Sequence, residues 1–367
     1  MPGKRAGESA EGMVLERMER SVPGTATRIT SRARRAGLAI TALERPVRWL
    51  AVATTLVMVV VLLQGTLVTN TGSQAGCGDT WPLCRGKLIP ELSGVQGAAT
   101  MIEFSHRVVV PLVTTMILLL SAGMVLLWRR RSEVKVLVPA MIAFLFLQAI
   151  LGAMAVMWPT SATVLALHFG ISLLAFASVF LSTAFVLEAG GADAVRDRPV
   201  PTGLRALIWV TFAWTYIQIY LGAYVRHTSA SLACADWPLC QGALVPHLDQ
   251  YVGVQFGHRL GAVVLTLLIA GLWWQARRIR AGRPDLHGAA LAAIVLVVLQ
   301  AISGGIVVLS RLAILSTLLH SFLITLLFGA VSYLCYHSMR RPAQARAAVP
   351  ASAAMTGILR EAPSQAR

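Results

Sequence analysis

The chain has 367 residues, 56% hydrophobic and only 13% charged, which leaves too little polar surface to cover a soluble globule of that size. A net charge of +16 would suit a nucleic-acid binder, but the basic residues fall in the tails and at the ends of apolar stretches, as in a membrane protein. A soluble domain is thereby excluded, the lipid bilayer is the expected surrounding, and no nucleic acid is expected as a partner.

Residues 1–46 form a basic tail, expected to be disordered and cytoplasmic. Its Arg and Ser content suggests a mitochondrial presequence, but Glu8, Glu11, Glu16 and Glu19 are acidic residues that such peptides avoid. Eight apolar stretches follow, at about 48–69, 104–128, 136–157, 163–187, 205–225, 256–275, 288–309 and 313–337. Each is long enough to cross a hydrocarbon core of roughly 30 Å as a helix. The Ala- and Pro-containing segment 339–367 reads as a second disordered tail. The expected fold class is an all-α integral membrane protein of eight transmembrane helices. If the N-terminus is cytoplasmic, 26 of the 32 Lys and Arg residues lie on that side. Only Arg85, Lys87, Arg107, Arg226, Arg259 and Arg311 fall in or beside the other loops. This asymmetry predicts a multi-pass protein of a bacterial plasma membrane with both termini in the cytoplasm.

An internal repeat organises the helices. Gln148-Ala-Ile-Leu-Gly152 recurs as Gln300-Ala-Ile-Ser-Gly304, an offset of 300 − 148 = 152, and His106-Arg107 and His168 recur at the same offset as His258-Arg259 and His320. Trp81-Pro-Leu-Cys84 recurs as Trp237-Pro-Leu-Cys240 at an offset of 156, so an intervening loop differs in length by four residues. The repeat predicts two tandem, pseudo-symmetric four-helix bundles, 47–188 and 205–338, joined by a cytoplasmic linker, 189–204. Four helices per unit is an even number, so both halves enter the membrane in the same sense.

A histidine inside a transmembrane helix is a functional candidate, although a lone one could simply hydrogen-bond a neighbouring helix. His106, His168, His258 and His320 form two matched pairs, expected in the first turns of helices 2 and 6 and one to two turns into helices 4 and 8. Two imidazoles from two helices of a bundle suit the axial ligation of heme iron; zinc would want a third protein ligand. His227, His247, His287 and His337 lack this pattern and are expected to face solvent. Cys77 with Cys84 and Cys234 with Cys240 lie in the two long outer loops, where disulfides persist, either as structural staples or as redox-active pairs. Cys335 is expected to be a buried free thiol.

The stretch Thr69-Asn-Thr-Gly-Ser, with Cys77-Gly-Asp-Thr-Trp-Pro-Leu-Cys84 and Ile102-Glu-Phe-Ser-His-Arg107, resembles the first half of heme A synthases. Cys234-Ala-Asp-Trp-Pro-Leu-Cys240 and Phe256-Gly-His-Arg259 resemble the second half, and the likeness covers roughly 48–337. The resemblance implies an oxidoreductase that converts a methyl substituent of heme O to the formyl group of heme A, for assembly of a terminal oxidase such as cytochrome c oxidase. It implies a resident heme b held by His258 and His320 in the second half, and the substrate heme O flanked by His106 and His168 in the first. Heme O synthase and terminal oxidase assembly factors are the protein partners such a role implies, and the electron acceptor stays open.

One asymmetry between the halves bears on this division. Glu103 precedes His106 by three residues, where the equivalent of His258 has Gln255, and positions i and i+3 share a helix face. Glu103 is therefore the candidate catalytic carboxylate, able to accept a proton, orient water or stabilise positive charge; the plainer role is a salt bridge, for example with Arg107. Arg107 and Arg259 are candidate contacts for heme propionates. Two other classes fit parts of the pattern. A diheme electron-transfer cytochrome would ordinarily place hemes near both faces, and a repeat-built transporter could line its path with Gln64, Gln148, Gln218 and Gln300.

Overall fold

The computed structural model describes residues 23–94, 97–157, 161–189 and 199–339, with side chains from residue 42 onward. Eight long helices make up the fold: α1 (Pro23–Asn70), α2 (Gly97–Trp128), α3 (Ser132–Met157), α4 (Ala162–Glu188), α5 (Thr202–His227), α6 (Gln250–Arg278), α7 (Pro284–Leu309) and α8 (Ile314–Ser338). All eight are long and apolar enough to span a membrane, α1 through its segment Ala42–Asn70. A helix satisfies its own backbone hydrogen bonds, which is why an apolar chain of this kind adopts no other structure in hydrocarbon.

Three expectations need correction. The segment 23–46, expected to be disordered, is helical backbone continuous with the first span; residues 1–22, 340–367 and most of the linker lie outside the described residues. Helices α2 and α6 start at Gly97 and Gln250 rather than near 104 and 256. Their first turns are less apolar than the spans, and α6 is capped by the Asp249 side chain, which accepts from the N–H groups of Tyr251 and Val252. His106 and His258 consequently sit in the third turn, deeper than expected.

Each half closes into a ring. In the first, α1 packs on α2, α2 on α3, α3 on α4 and α4 back on α1; in the second, α5 to α8 repeat the circuit. The halves meet through α4 against α5, α8 against α1, and α4 against α8, so α4 and α8 are the most buried spans. Aromatic stacking closes the second ring: Phe328 of α8 stacks on Phe212 and Tyr216 of α5, with ring centroids 5.4 and 6.1 Å apart.

The same end of both rings carries the disulfide loops, called here the disulfide face. Each α1/α5 helix ends in a left-handed residue, Gly72 (φ 66°) or Ser229 (φ 61°), followed by a 3-10 turn, Ser73–Ala75 or Ala230–Leu232. Disulfides Cys77–Cys84 and Cys234–Cys240 close the loops, with Cα–Cα distances of 4.5 and 4.7 Å. The repeat therefore extends into the first helix of each half at an offset of 229 − 72 = 157, which motif matching at 152 does not find.

Candidate functional site

The four matched histidines all lie toward the disulfide face, on α2, α4, α6 and α8, and each ring faces a glycine of the preceding helix. A β-carbon built on Gly65 would lie 3.6 Å from His106 Cε1, one on Gly152 3.6 Å from His168 Cε1, one on Gly222 2.9 Å from His258 Cε1 and one on Gly304 3.2 Å from His320 Cε1. At Gly222, and less severely at Gly304, a side chain would crowd the imidazole, whereas at Gly65 and Gly152 a β-carbon would make an ordinary contact, so the two second-half glycines are part of the site. Sequence reasoning missed this role, although Gly304 stands in the repeated Gln-Ala-Ile-x-Gly motif. Within each half the two imidazoles lie in electrostatic range of one another. Among the described residues no group of three or more His, Cys, Asp and Glu could hold a metal ion. Paired imidazoles without a third ligand suit heme iron, which takes its equatorial nitrogens from the porphyrin, and do not suit zinc.

The halves differ in what holds these rings. In the second half the Gln218 amide nitrogen lies 2.9 Å from His258 Nδ1, and Ser303 Oγ lies 2.8 Å from His320 Nδ1. The Gln300 amide nitrogen lies 3.1 Å from His320 Nε2. In the first half His106 Nδ1 and His168 Nδ1 are buried with no hydrogen-bond partner among the described residues. There the Gln148 amide donates to the His168 backbone carbonyl (3.1 Å) instead of the ring. The repeat offsets explain the difference: Gln218 corresponds to Val61 (218 − 157) and Ser303 to Leu151 (303 − 152), so two polar residues of the second half are apolar in the first.

Glu103 is buried, 4% exposed, at the root of the first disulfide loop. One carboxylate oxygen accepts the Cys77 N–H (2.8 Å), and the other accepts Arg107 Nη2 (2.5 Å) and Nε (3.1 Å). Gln255 holds the second loop equivalently: its Oε1 accepts the Cys234 N–H, and its Nε2 donates to the Ser231 carbonyl (2.8 Å). Both side chains thus anchor a loop, and the charge of Glu103 is balanced by Arg107.

The arginines next to the histidines are also turned to the loops. Arg107 Nη1 donates to the carbonyls of Thr80 (2.6 Å) and Leu83 (2.8 Å). Arg259 donates to the carbonyls of Leu239, Cys234 (2.9 Å) and Asp236 (2.8 Å). Both guanidinium groups thus brace the loops through backbone carbonyls. In the second loop the Asp236 carboxylate accepts the backbone N–H groups of Gly242 and Gln241 at 2.8 Å each, and these hold its pKa below the ordinary aspartate value.

Of the histidines expected at the surface, His247 is exposed and His287 partly so. His337 is not: it is fully buried, its ring 4.0 Å from that of Tyr333 and its Nε2 3.4 Å from Glu188. His227 is partly buried and within electrostatic range of His168. Packing between the halves draws both inward, and hydropathy carries no trace of it. Cys335 is the buried free thiol expected.

Comparison with known proteins agrees with this architecture. Residues 47–332 match the model of the family COX15-CtaA, described as cytochrome oxidase assembly protein. A protein of Symbiobacterium thermophilum named heme A synthase is 42% identical over 301 residues, covering 80% of this chain and 95% of its own length. Proteins of the same name from Bacillus pumilus (43% over 296 residues, 78% and 94%) and Staphylococcus aureus (40% over 293 residues, 79% and 94%) are similar to comparable extents.

Proposed function

This chain belongs to the heme A synthase family, and from that footing we propose that it oxidises the methyl substituent of heme O to the formyl group of heme A, with a resident heme b in the second half and the substrate in the first. It is a multi-pass bacterial membrane protein that makes heme A. The finer assignment of the halves is carried by one observation: among the described residues, ring Nδ1 contacts exist at His258 and His320 and not at His106 and His168. Both contacts fix the orientation of a ring, which suits a group that stays: Ser303 Oγ is able to accept the His320 Nδ1–H, as the outer partner of a ligating imidazole does, while the Gln218 amide nitrogen donates and orients the His258 ring. Rings held only by packing suit a substrate that must enter and a product that must leave.

A bound heme b supplies one-electron transfer. The protein's part is to hold two ring planes against glycines, exclude water with the disulfide loops, and set the charge at the substrate site. In this reading Glu103 supplies that charge, and Arg107 and the Cys77 N–H keep it in place. The disulfide face is extracytoplasmic and both tails are cytoplasmic, on the strength of the Lys/Arg asymmetry. Heme O and heme A are strongly apolar, so a membrane-bound heme O synthase upstream and the assembling terminal oxidase downstream are its natural partners.

The test is ligand replacement in the purified holoenzyme. His258→Ala or His320→Ala abolishes or shifts the heme b spectrum. His106→Ala or His168→Ala leaves it in place while heme O accumulates. Loss of the heme b spectrum from the first-half variants alone would reverse the assignment.

A further inference from the structure

Arg226 closes α5 at the disulfide face, and its side-chain partners there are neutral. Its Nε donates to Asn70 Oδ1 (3.0 Å) and its Nη2 to the Thr69 carbonyl (3.0 Å), both at the end of α1 in the other half. Among the described residues no carboxylate lies within salt-bridge range of it, whereas Arg107 has Glu103. A partly buried guanidinium matched only by neutral acceptors, at the end of a membrane span, calls for a negative partner.

Its position indicates which one. Arg226 follows Gly222 by four residues, so the two share a face of α5, and Gly222 is the glycine against His258. Asn70 in turn donates its Nδ2 to Thr317 Oγ1 (2.6 Å), and Thr317 precedes His320 by one turn of α8. The bridge Arg226–Asn70–Thr317 therefore spans the second-half site one turn from each of its imidazoles, on the disulfide side. Thr317 is only 8% exposed, while Tyr224, on another face of α5, is 39% exposed. That places the bridge on the bundle side of the helix rather than the lipid side.

We propose that Arg226 anchors a propionate carboxylate of the heme held between His258 and His320, and that Asn70 of the first half holds the guanidinium in position. This rests on the assignment of the resident heme to the second half. It also supplies a reason for that assignment: the repeat equivalent of Arg226 is Thr69 (226 − 157), so the first-half site lacks the cation and can release its heme. The predicted anchor is not either arginine that follows a histidine in the sequence.

The experiment uses the holoenzyme with Arg226→Gln, Arg226→Lys and Asn70→Asp, reading the heme b midpoint potential, its pH dependence and the rate of heme b loss to apomyoglobin. Removing a cation beside a propionate disfavours the reduced heme, so Arg226→Gln lowers the potential and moves its pH dependence toward neutrality. Heme loss becomes faster by roughly tenfold or more, the scale of one charge-assisted hydrogen bond. Arg226→Lys restores part of each effect. Asn70→Asp gives the guanidinium an internal anion and shifts the potential in the same direction, which keeps the test open if Arg226→Gln fails to accumulate. Unchanged potential and heme retention in Arg226→Gln and Asn70→Asp would overturn the proposal and leave Arg226 as a clamp between halves or a lipid-headgroup contact. Failure of the half assignment reads out separately, as heme b lost on replacing His106 or His168.

Discussion

Gly222 faces His258 so closely that a β-carbon there would lie 2.9 Å from the ring Cε1, nearer than such atoms pack. The ring position in the second half is set by the absence of a side chain on α5. Gly222→Ala should therefore push the imidazole aside and broaden or lose the heme b absorption bands. Gly65→Ala, where the contact with His106 is an ordinary 3.6 Å, should leave the heme b spectrum unchanged and accumulate normally in membranes. Equal effects of the two substitutions on heme b would contradict this account.

Glu103→Gln tests the substrate-site charge. Gln255 shows that an amide can hold the loop through the same cysteine N–H, so folding and the heme b spectrum should survive the change. Heme A formation should fall by about 10², the scale of losing a positioned acid or base, with heme O or a partly oxidised heme accumulating. Normal heme A output would leave Glu103 with the loop-anchoring and Arg107-pairing roles alone. Gln255→Glu, the converse change, should not create a second oxidising site.

Asp236 gives the second loop a dependence on acid. Its folded pKa is depressed by the Gly242 and Gln241 N–H groups, so its contribution to loop stability is present above the ordinary aspartate value and is lost as pH falls through the depressed one. Hydrogen exchange at Gln241 and Gly242, measured at a series of pH values, should show protection fading only on strong acidification. In Asp236→Asn the protection at neutral pH should already be reduced and should no longer change over that range.

The charge asymmetry predicts the orientation of the chain. A reporter active only outside the cytoplasm should be silent when fused after Arg367 and active when inserted after Gly86 in the first disulfide loop. The opposite pattern would invert the helices and move the disulfides to the reducing side.

Eight spans, two halves and four ligand candidates were legible in the sequence, because apolar length, a repeat offset and intramembrane histidines are each local signals. The cysteine pairing was legible for the same reason: both members of each pair sit in one short loop. Glu103 was legible as an unusual residue and not as a loop anchor, since its partner Cys77 is 26 residues away. His337 was misread because a histidine at the end of a span looks solvated until α4 of the other half brings Glu188 against it.

What the sequence determined by itself was the class of the protein and a set of candidate ligands, since hydropathy and repetition act along the chain. What only the tertiary structure decided was how those sites are finished. Gly222 and Gly304 make room for rings on neighbouring helices, Gln218 and Ser303 reach two of the four imidazoles, and Arg226 turns toward the other half instead of its own loop. These are contacts between helices whose relative rotation and depth depend on packing across both rings, and no spacing within one helix encodes them.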